Sequence, residues 1–286
     1  MQTIQTVKAV REAVRVWHRH GERVALVPTM GALHEGHLAL VDAARAHADR
    51  VVASVFVNPL QFGPNEDLAR YPRNLERDRA LLETRGVDLL YAPTVEEMYP
   101  EPAQVTVEPG GLAIRWDGAA RPGHFVGVLT VVAKLFNQVA PDAAVFGQKD
   151  FQQVTVVRRM IHDLDWPIDL VVVPTVREAD GLALSSRNAY LTPADRLEAR
   201  RLSAAIREIQ QAWVAGESDP GRLGSVGRAV LEAGQGVAVE YVALVDPVTL
   251  ETPRFADATS VVLIAARVGT TRLIDNAALG QHLGGA

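Results

Sequence analysis

The segment from Val24 to His37 constrains what this chain can fold into more than any other stretch. A short apolar run, residues 24–27, leads into a turn that contains proline and glycine, and His34 and His37 precede an apolar-periodic run that begins at Leu38. This order predicts a β-strand, a tight turn and the first turn of a helix. Unpaired backbone N–H groups and the helix dipole at such a start suit an anion such as phosphate. Two histidines three residues apart share one helix face, so we predict that they handle a phosphate group.

Two other interpretations of these histidines stay open at this point. One is an ordinary polar loop. The other is a metal site, but the zinc-protease pattern places its histidines four residues apart, whereas His34-Glu35-Gly36-His37 places them three apart. No third ligand stands out further along the chain, which makes the metal interpretation the weakest of the three.

The composition is typical of a folded globular protein and excludes several classes. The 286 residues suggest about two domains or one large one, and the formal net charge of −5, without a basic tract, argues against a nucleic-acid-binding surface. The absence of cysteine excludes disulfides, thiolate nucleophiles and cysteine zinc sites, and is typical of a reducing compartment. The N-terminal residues do not resemble a signal peptide, and no apolar run approaches the ~20 residues of a membrane helix. We expect a soluble, cytoplasmic protein.

Apolar runs alternate with helical patterns over the first part of the chain. The predicted strands are 24–27, 51–57, 87–91, 143–146 and 168–173, and the predicted helices between them are 38–48, 74–85, 126–139 and 151–164. This alternation predicts an α/β fold with a Rossmann-like parallel sheet covered on both faces. The last third predicts a helix that begins after Thr192, a second helix over 222–232, and antiparallel strands over 237–245, 260–268 and 271–274. We therefore expect a domain of residues 1–175 and a smaller C-terminal α+β domain of residues 176–286.

Polar clusters follow three of the predicted strands. They are the histidine pair, the segment from Asn58 to Gln61, and Gly147-Gln148-Lys149-Asp150. Because ligands of parallel sheets bind beyond the carboxyl ends of the strands, we expect these clusters to converge on one crevice. A fourth cluster, Ser185-Ser186-Arg187, offers two hydroxyl groups and a fork-shaped guanidinium to a phosphate, although taken alone it favours an ordinary polar turn.

Lysine is scarce in this chain, which draws attention to Lys149. Only three of the 29 basic residues are lysine, so most surface cations are arginine. Lys149 and its neighbour Asp150 could bind phosphate and a magnesium ion respectively, whereas the alternative is an exposed pair of charges. Neither a Walker loop nor a Gly-x-Gly-x-x-Gly fingerprint occurs. Asn58 and Gln61 could orient a polar ligand, but Asn-Pro is also a common start of a turn.

Taken together, these motifs resemble the pantothenate synthetase family of the nucleotidyltransferase superfamily. The run Pro-Thr-Met-Gly-x-Leu-His-x-Gly-His carries the resemblance, and further matches follow in the same order almost to the end of the chain. They lie at residues 28–37, 56–62, 71–73, 146–153, 177–188 and 272–276. The sequence departs from the family pattern at Gln148, where glutamate is frequent, and at Thr271, where we expect lysine.

The resemblance implies an ATP-dependent ligation of pantoate and β-alanine. Pantoate would attack ATP to give a pantoyl-adenylate and pyrophosphate, and β-alanine would then displace AMP. It implies catalytic roles for His34, His37 and Lys149. It also implies an ATP site formed by Met30, His34, Gly36, His37, Gly147, Gln148, Lys149, Asp150, Val176, Leu184, Ser185, Ser186 and Arg187.

The same resemblance implies that Asn58, Gln61 and Gln153 contact pantoate or β-alanine. It further implies Mg²⁺ near Asp150, closure of the smaller domain as a lid, and a homodimer. Two alternatives remain at this point: another nucleotidyltransferase of the superfamily that transfers an adenylyl or cytidylyl group, and a nucleotide-binding regulatory protein that has lost catalysis.

Overall fold

The computed structural model describes residues 1–64, 66–101 and 104–283, and it divides into two compact units. The N-terminal unit comprises Met1–Gly147 and Gln152–Val173. The C-terminal unit comprises Gln148–Phe151 and, among the described residues, 174–283. The grouping of Gln148–Phe151 with the second unit has no counterpart in the sequence prediction. The domain boundary predicted at residues 175 and 176, and the roles assigned to the two domains, remain predictions.

A six-stranded parallel sheet forms the centre of the N-terminal unit, with the strand order β1-β4-β3-β2-β5-β6. The strands are β1 Gln2–Ile4, β2 Val24–Thr29, β3 Arg50–Val55, β4 Leu89–Tyr91, β5 Ala143–Gly147 and β6 Asp169–Val173. Strand order reverses between β2 and β5, which is where sheets of this class bind ligands beyond the strand ends. The parallel sheet and the smaller antiparallel sheet described below confirm the predicted fold class.

Helices cover both faces of the parallel sheet. They are α1 Val7–Arg19, α2 Glu35–His47, α3 Leu75–Thr84, α4 Val95–Met98, α5 Asp117–Ala120, α6 His124–Val139 and α7 Phe151–Asp163. Alternate residues of β2 enter separate cores: Val24 and Leu26 belong to the core with α1, α6 and α7, whereas Ala25 and Val27 belong to the core with α2 and α3. Both sets are fully buried, which explains why the strand is apolar without a break.

A three-stranded antiparallel sheet, in the order β7-β8-β9, organises the C-terminal unit. Its elements are α8 Pro193–Ala199, α9 Arg201–Val214, α10 Pro220–Glu232, β7 Val237–Val245, β8 Val261–Val268 and β9 Thr271–Ala278. The predicted cap is present, because the Thr192 side chain accepts a hydrogen bond from the Asp195 N–H. The helix predicted to begin after Thr192 breaks at Arg200, which separates α8 from α9.

Further elements differ from the sequence prediction. Strand β1 and helices α1, α4 and α5 were not predicted, and β9 continues to Ala278 rather than ending at Ile274. The extension includes Asp275 and Asn276, two buried polar residues that a sequence pattern would place in a loop. They are accommodated because both have hydrogen-bond partners. Among the described residues, no helix is long and apolar enough to cross a membrane.

Gly127 allows α6 to approach the 3₁₀ turn Pro59–Gln61. A Cβ atom at this position would overlap the backbone of Leu60 and lie 2.6 Å from the Gln61 nitrogen. We expect Gly127→Ala to lower the free energy of unfolding by about 1–3 kcal/mol, since overpacking displaces backbone. The matched control is Gly224→Ala in α10, where the added Cβ atom would meet only an ordinary contact, 3.5 Å from the Val242 oxygen. Urea unfolding that gives the two variants equal stability would contradict this account.

Candidate active site

The turn after β2 carries the two histidines and has a demanding backbone. Gly31 and Ala32 both adopt left-handed conformations, with φ of +82° and +51°. The Thr29 hydroxyl donates to the Ser54 carbonyl at 2.8 Å and accepts from the Gly31 N–H at 3.1 Å. The end of β2 is thereby tied to the neighbouring strand β3, and the turn starts from a fixed position.

Asp78 of α3 holds the middle of this turn. Its side chain, only 1% exposed, accepts hydrogen bonds from the Ala32 N–H at 2.9 Å and the Leu33 N–H at 2.8 Å, one to each carboxylate oxygen. A Cβ atom on Gly31 would lie 2.8 Å from an Asp78 oxygen, so only glycine fits. Sequence reasoning missed Asp78. The one signal in the sequence is Gly31, because a glycine in such a turn indicates that another group lies close to its backbone.

The histidines themselves complete the start of α2. His34 Nδ1 accepts from the Gly36 N–H at 3.2 Å, His37 Nδ1 accepts from the His34 N–H at 3.4 Å, and the two ring centroids are 4.1 Å apart. A neutral imidazole that accepts at Nδ1 carries its proton on Nε2. In this tautomer each ring carries an Nε2–H group that can act as a hydrogen-bond donor.

This geometry corrects one part of the sequence interpretation, which expected unpaired amides at the helix start. The Gly36 N–H is bonded to the His34 ring, and the His37 N–H donates to the His34 carbonyl at 2.8 Å. These two amides are used within the turn. A phosphate group bound at this turn would therefore meet the imidazole side chains rather than those two amides.

Asn58, Gln61 and Met30 form a second cluster beside the same strand ends. The Asn58 amide nitrogen donates to Gln61 Oε1 and to the Gly127 carbonyl, each at 3.1 Å, and its oxygen accepts from the Tyr99 hydroxyl at 2.9 Å. Gln61 Nε2 in turn lies 3.1 Å from the Met30 sulfur. Asn58 is 1% exposed and Gln61 is 9% exposed. The cluster fixes the orientation of the Gln61 amide.

A largely buried network in contact with the Gln61 carbonyl was not predicted. The Arg121 guanidinium donates to both Glu66 oxygens at 2.6 Å and contacts His124 Nε2 at 2.9 Å, while His124 Nδ1 lies 2.8 Å from the Gln61 carbonyl. Since guanidinium is only a donor, Nε2 must accept, and Nδ1–H donates to the carbonyl. Burial, reinforced by the Arg121 charge, lowers the pKa of His124 to about 4. The ring is therefore neutral at pH 7.

The two neighbouring glutamines of α7 differ in environment. Gln152 is 3% exposed; it donates to the carbonyls of Leu112 and Arg115, at 2.8 and 3.0 Å, and accepts from the Asp117 N–H at 2.9 Å. Gln152 therefore holds the segment before α6. Gln153, the predicted substrate contact, is half-buried.

In the C-terminal unit, Lys149 lies in a 3₁₀ turn, Gln148–Asp150. The Asn276 amide of β9 donates to the carbonyls of Gln148 and Lys149, at 3.1 and 2.7 Å. Lys149 is half-buried and Asp150 is exposed. No group of three or more histidine, aspartate or glutamate side chains within residues 1–64, 66–101 and 104–283 could hold a metal ion.

The Ser185–Arg187 segment follows a short hairpin in the same unit. Leu184 N–H donates to the Val176 carbonyl at 3.0 Å, and Ser185 Oγ accepts from the Arg187 N–H at 3.2 Å at the start of the 3₁₀ turn Ser186–Tyr190. This turn and the Lys149 turn both pack against β9. Within the C-terminal unit, the two turns that carry the predicted phosphate ligands therefore lie against the same strand, β9. Gly36 and Gly147, predicted from the resemblance, lie in the N-terminal unit at the start of α2 and the end of β5.

The doubly wound sheet, with polar turns beyond its central strand ends, defines a Rossmann-like α/β class of protein. A family model described as pantoate-beta-alanine ligase matches residues 2–278. The pantothenate synthetase of Koribacter versatilis is 50% identical over 279 residues, which cover 98% of this chain and 96% of the relative. That of Acidobacterium capsulatum is 51% identical over 292 residues, with 98% of each covered.

Solved structures give the same result. The pantothenate synthetase of Thermus thermophilus superposes with a TM-score of 0.93 at 51% identity, covering 98% of this chain and 99% of that one. The pantoate-beta-alanine ligase of Francisella tularensis, complexed with beta-gamma ATP and beta-alanine, gives a TM-score of 0.82 at 30% identity, covering 99% and 100%. The chain belongs to the pantoate–β-alanine ligase family, which confirms the resemblance.

The neutral, buried His124 predicts a specific pH dependence of stability. Its pKa is about 4 in the fold and about 6.5 in an unfolded chain, so the unfolded state binds the extra proton between these values. Its contribution to stability is complete above pH 6.5 and is lost as the pH falls toward 4, by up to about 1.4 kcal/mol per pH unit. His124→Asn cannot bind this proton. Its free energy of unfolding, measured with urea, should therefore fall less steeply between pH 6.5 and 4 than that of the wild type.

The control is His162→Asn, whose parent side chain is 77% exposed. We expect this variant to keep the wild-type slope between pH 6.5 and 4. An identical slope in His124→Asn and wild type would contradict the neutral, buried state assigned to His124.

Proposed function

We propose that this protein joins pantoate to β-alanine at the expense of ATP. A pantoate carboxylate oxygen attacks the α-phosphorus, the bond from that phosphorus to the bridging oxygen breaks, and pyrophosphate leaves. The β-alanine nitrogen then attacks the acyl carbon of the adenylate, loses a proton, and AMP leaves with the former carboxylate oxygen. The family match over residues 2–278 is the observation that carries this proposal.

We propose that His34, His37 and Lys149 are the catalytic residues. Charge builds up on the phosphates during attack by an anionic carboxylate, and preorganised donors offset it best. The Nε2–H groups of both imidazoles are oriented by backbone hydrogen bonds at Nδ1, which supports this role. A compact ammonium at position 149, in a chain with three lysines, supports the third assignment.

The remaining ATP contacts in the proposal are carried by both units. Ser185, Ser186 and Arg187 hold the triphosphate, and the backbone near Met30 and Val176 holds the adenosine. Further contacts are proposed for Gly36, Gly147, Gln148, Asp150 and Leu184. Closure of the C-terminal unit as a lid would protect the adenylate, which water can hydrolyse.

For pantoate we propose Gln61 and Gln153. Gln61 supports this role because Asn58 and Met30 fix its amide, so its position is defined before any ligand binds. Asn58 is nearly fully buried and hydrogen-bonded on both amide atoms, which favours action through Gln61 over a direct contact. Neutral amides suit an attacking carboxylate, because a strong cation would weaken its nucleophilicity.

Three further parts of the proposal rest on the family resemblance. Mg²⁺ typically binds through one or two carboxylates together with substrate phosphates; the exposed Asp150 could supply one such ligand, so we propose that Mg²⁺ arrives with ATP and neutralises phosphate charge. We also propose a homodimer and a cytoplasmic location.

The alternative of another adenylyl or cytidylyl transferase is not favoured, because the named relatives are pantothenate synthetases over nearly their full length.

An omission assay tests the reaction. We expect AMP only when ATP, pantoate and β-alanine are all present, and exchange of labelled pyrophosphate into ATP with pantoate but without β-alanine. Exchange that requires β-alanine would contradict the adenylate-first order. A product that retains the nucleotide when all three substrates are present would favour the alternative transferase.

Alanine substitution tests the catalytic assignments. His37→Ala and Lys149→Ala should each lower the pyrophosphate exchange rate by about 10²–10³, the usual cost of losing one preorganised donor. Matched controls are His47→Ala, in the last turn of the same helix α2, and Lys8→Ala, an exposed lysine of α1. We expect both controls to stay within twofold of wild type. Near-wild-type exchange in the His37 and Lys149 variants would refute the assignments.

A further inference from the structure

Two adjacent residues of β9 support the two turns that the proposed function assigns to ATP phosphates in the C-terminal unit: Asn276 holds the Lys149 turn directly, and Asp275 holds the segment before Ser185 through Arg177. Asp275 is 2% exposed and Asn276 is 3% exposed. The strand that pairs with β9, β8, is mainly apolar. Buried polar side chains are costly unless they are hydrogen-bonded. The partners of these two residues therefore show what they do.

Asn276 binds the backbone of the Lys149 turn. Its single amide nitrogen donates to two successive carbonyls, those of Gln148 and Lys149, at 3.1 and 2.7 Å. The Gln148 side chain adds to the same contact, since its Nε2 lies 3.4 Å from Asn276 Oδ1 and 2.7 Å from Gln281 Oε1. Two carbonyls held by one rigid amide fix both the position and the direction of the residue that carries the ammonium group.

Asp275 holds the other segment through Arg177. The guanidinium makes two hydrogen bonds to the carboxylate, at 2.7 and 2.9 Å, and donates to the Gly181 carbonyl at 3.1 Å. These side chains are 7% and 1% exposed. Arg177 also forms an antiparallel bridge with Ala183, so it anchors both sides of the hairpin that leads directly into Ser185. A bidentate arginine is suited to such a fixed geometry.

We propose that Asp275 and Asn276 are positioning residues that set the spacing between Lys149 and the Ser185–Arg187 turn. Because they are consecutive in one strand, the two turns they hold cannot shift independently. The triphosphate would thus meet an ammonium, two hydroxyls and a guanidinium already at the required separation. This inference rests on the proposed function, since it concerns ligands of the same ATP.

The test is a double-mutant cycle between Asn276 and Lys149. Asn276→Ala removes both donors, and Asn276→Leu removes them while keeping the volume. We expect each to weaken ATP binding in calorimetry about tenfold and to lower pyrophosphate exchange by about 10–10², the cost of misplacing a group by about 1 Å. The KM for pantoate should change less than twofold. When Lys149→Ala is already present, adding an Asn276 substitution should weaken ATP binding little further, because Asn276 acts through Lys149.

Gln210→Ala is the matched control. Gln210 Nε2 likewise donates to two carbonyls, those of Ala278 and Gln281, at 2.9 and 2.7 Å, near the far end of the same strand. It should lower the unfolding midpoint as Asn276→Ala does but leave ATP affinity within twofold of wild type. Arg177→Lys, which keeps the charge but loses the two-point contact, should also weaken ATP binding; its control is Arg196→Lys, whose parent pairs with Glu178 and Asp180.

All variants are compared at a temperature where circular dichroism shows them folded. Unchanged ATP affinity in both Asn276 variants, or a loss fully additive with Lys149→Ala, would overturn the positioning role. Wild-type protein that binds ATP but gives no exchange with pantoate would instead refute the proposed function, and the calorimetric cycle would still decide the role of Asn276.

Discussion

The histidine turn depends on the carboxylate of Asp78. Ala32 is a non-glycine residue with a positive φ, and such backbone strain persists only where the surroundings enforce it. Asp78 enforces it by binding the N–H groups of Ala32 and Leu33, and Gly31 leaves room for the carboxylate. The direction of the chain into α2, and with it the position of both imidazoles, follows from this contact.

Patterns of neighbouring residues were sufficient to predict several individual strands and helices of the fold. β2 and α2 were predicted because a buried strand and an amphipathic helix start have distinct periodicities, and the structure confirms them. α1 also has an apolar stripe, with Val10 and Val14 buried, which sequence reasoning overlooked, and β1 has only three residues. The family resemblance was likewise predictable, because its motifs are continuous segments.

The supports of the candidate site could not be predicted, because they join residues far apart in the chain. Asp78 lies 46 residues from Ala32, and Asn276 lies 127 residues from Lys149. A side chain that binds distant backbone leaves no periodicity. The polar pair Asp275 and Asn276 even indicated the end of a strand, whereas β9 continues through them because Arg177 and the Lys149 turn supply their partners.

The two units use the same physical arrangement with opposite polarity. In the N-terminal unit a buried acceptor, Asp78, binds two successive N–H groups of the histidine turn; in the C-terminal unit a buried donor, Asn276, binds two successive carbonyls of the Lys149 turn. In each case the protein itself satisfies these backbone groups, and the groups proposed as catalytic, the His34 and His37 imidazoles and the Lys149 ammonium, are side chains. Because such groups need not reorganise when charge develops, this arrangement favours stabilisation of a transition state over simple binding. It is the arrangement expected of an enzyme that activates a carboxylate on a nucleotide.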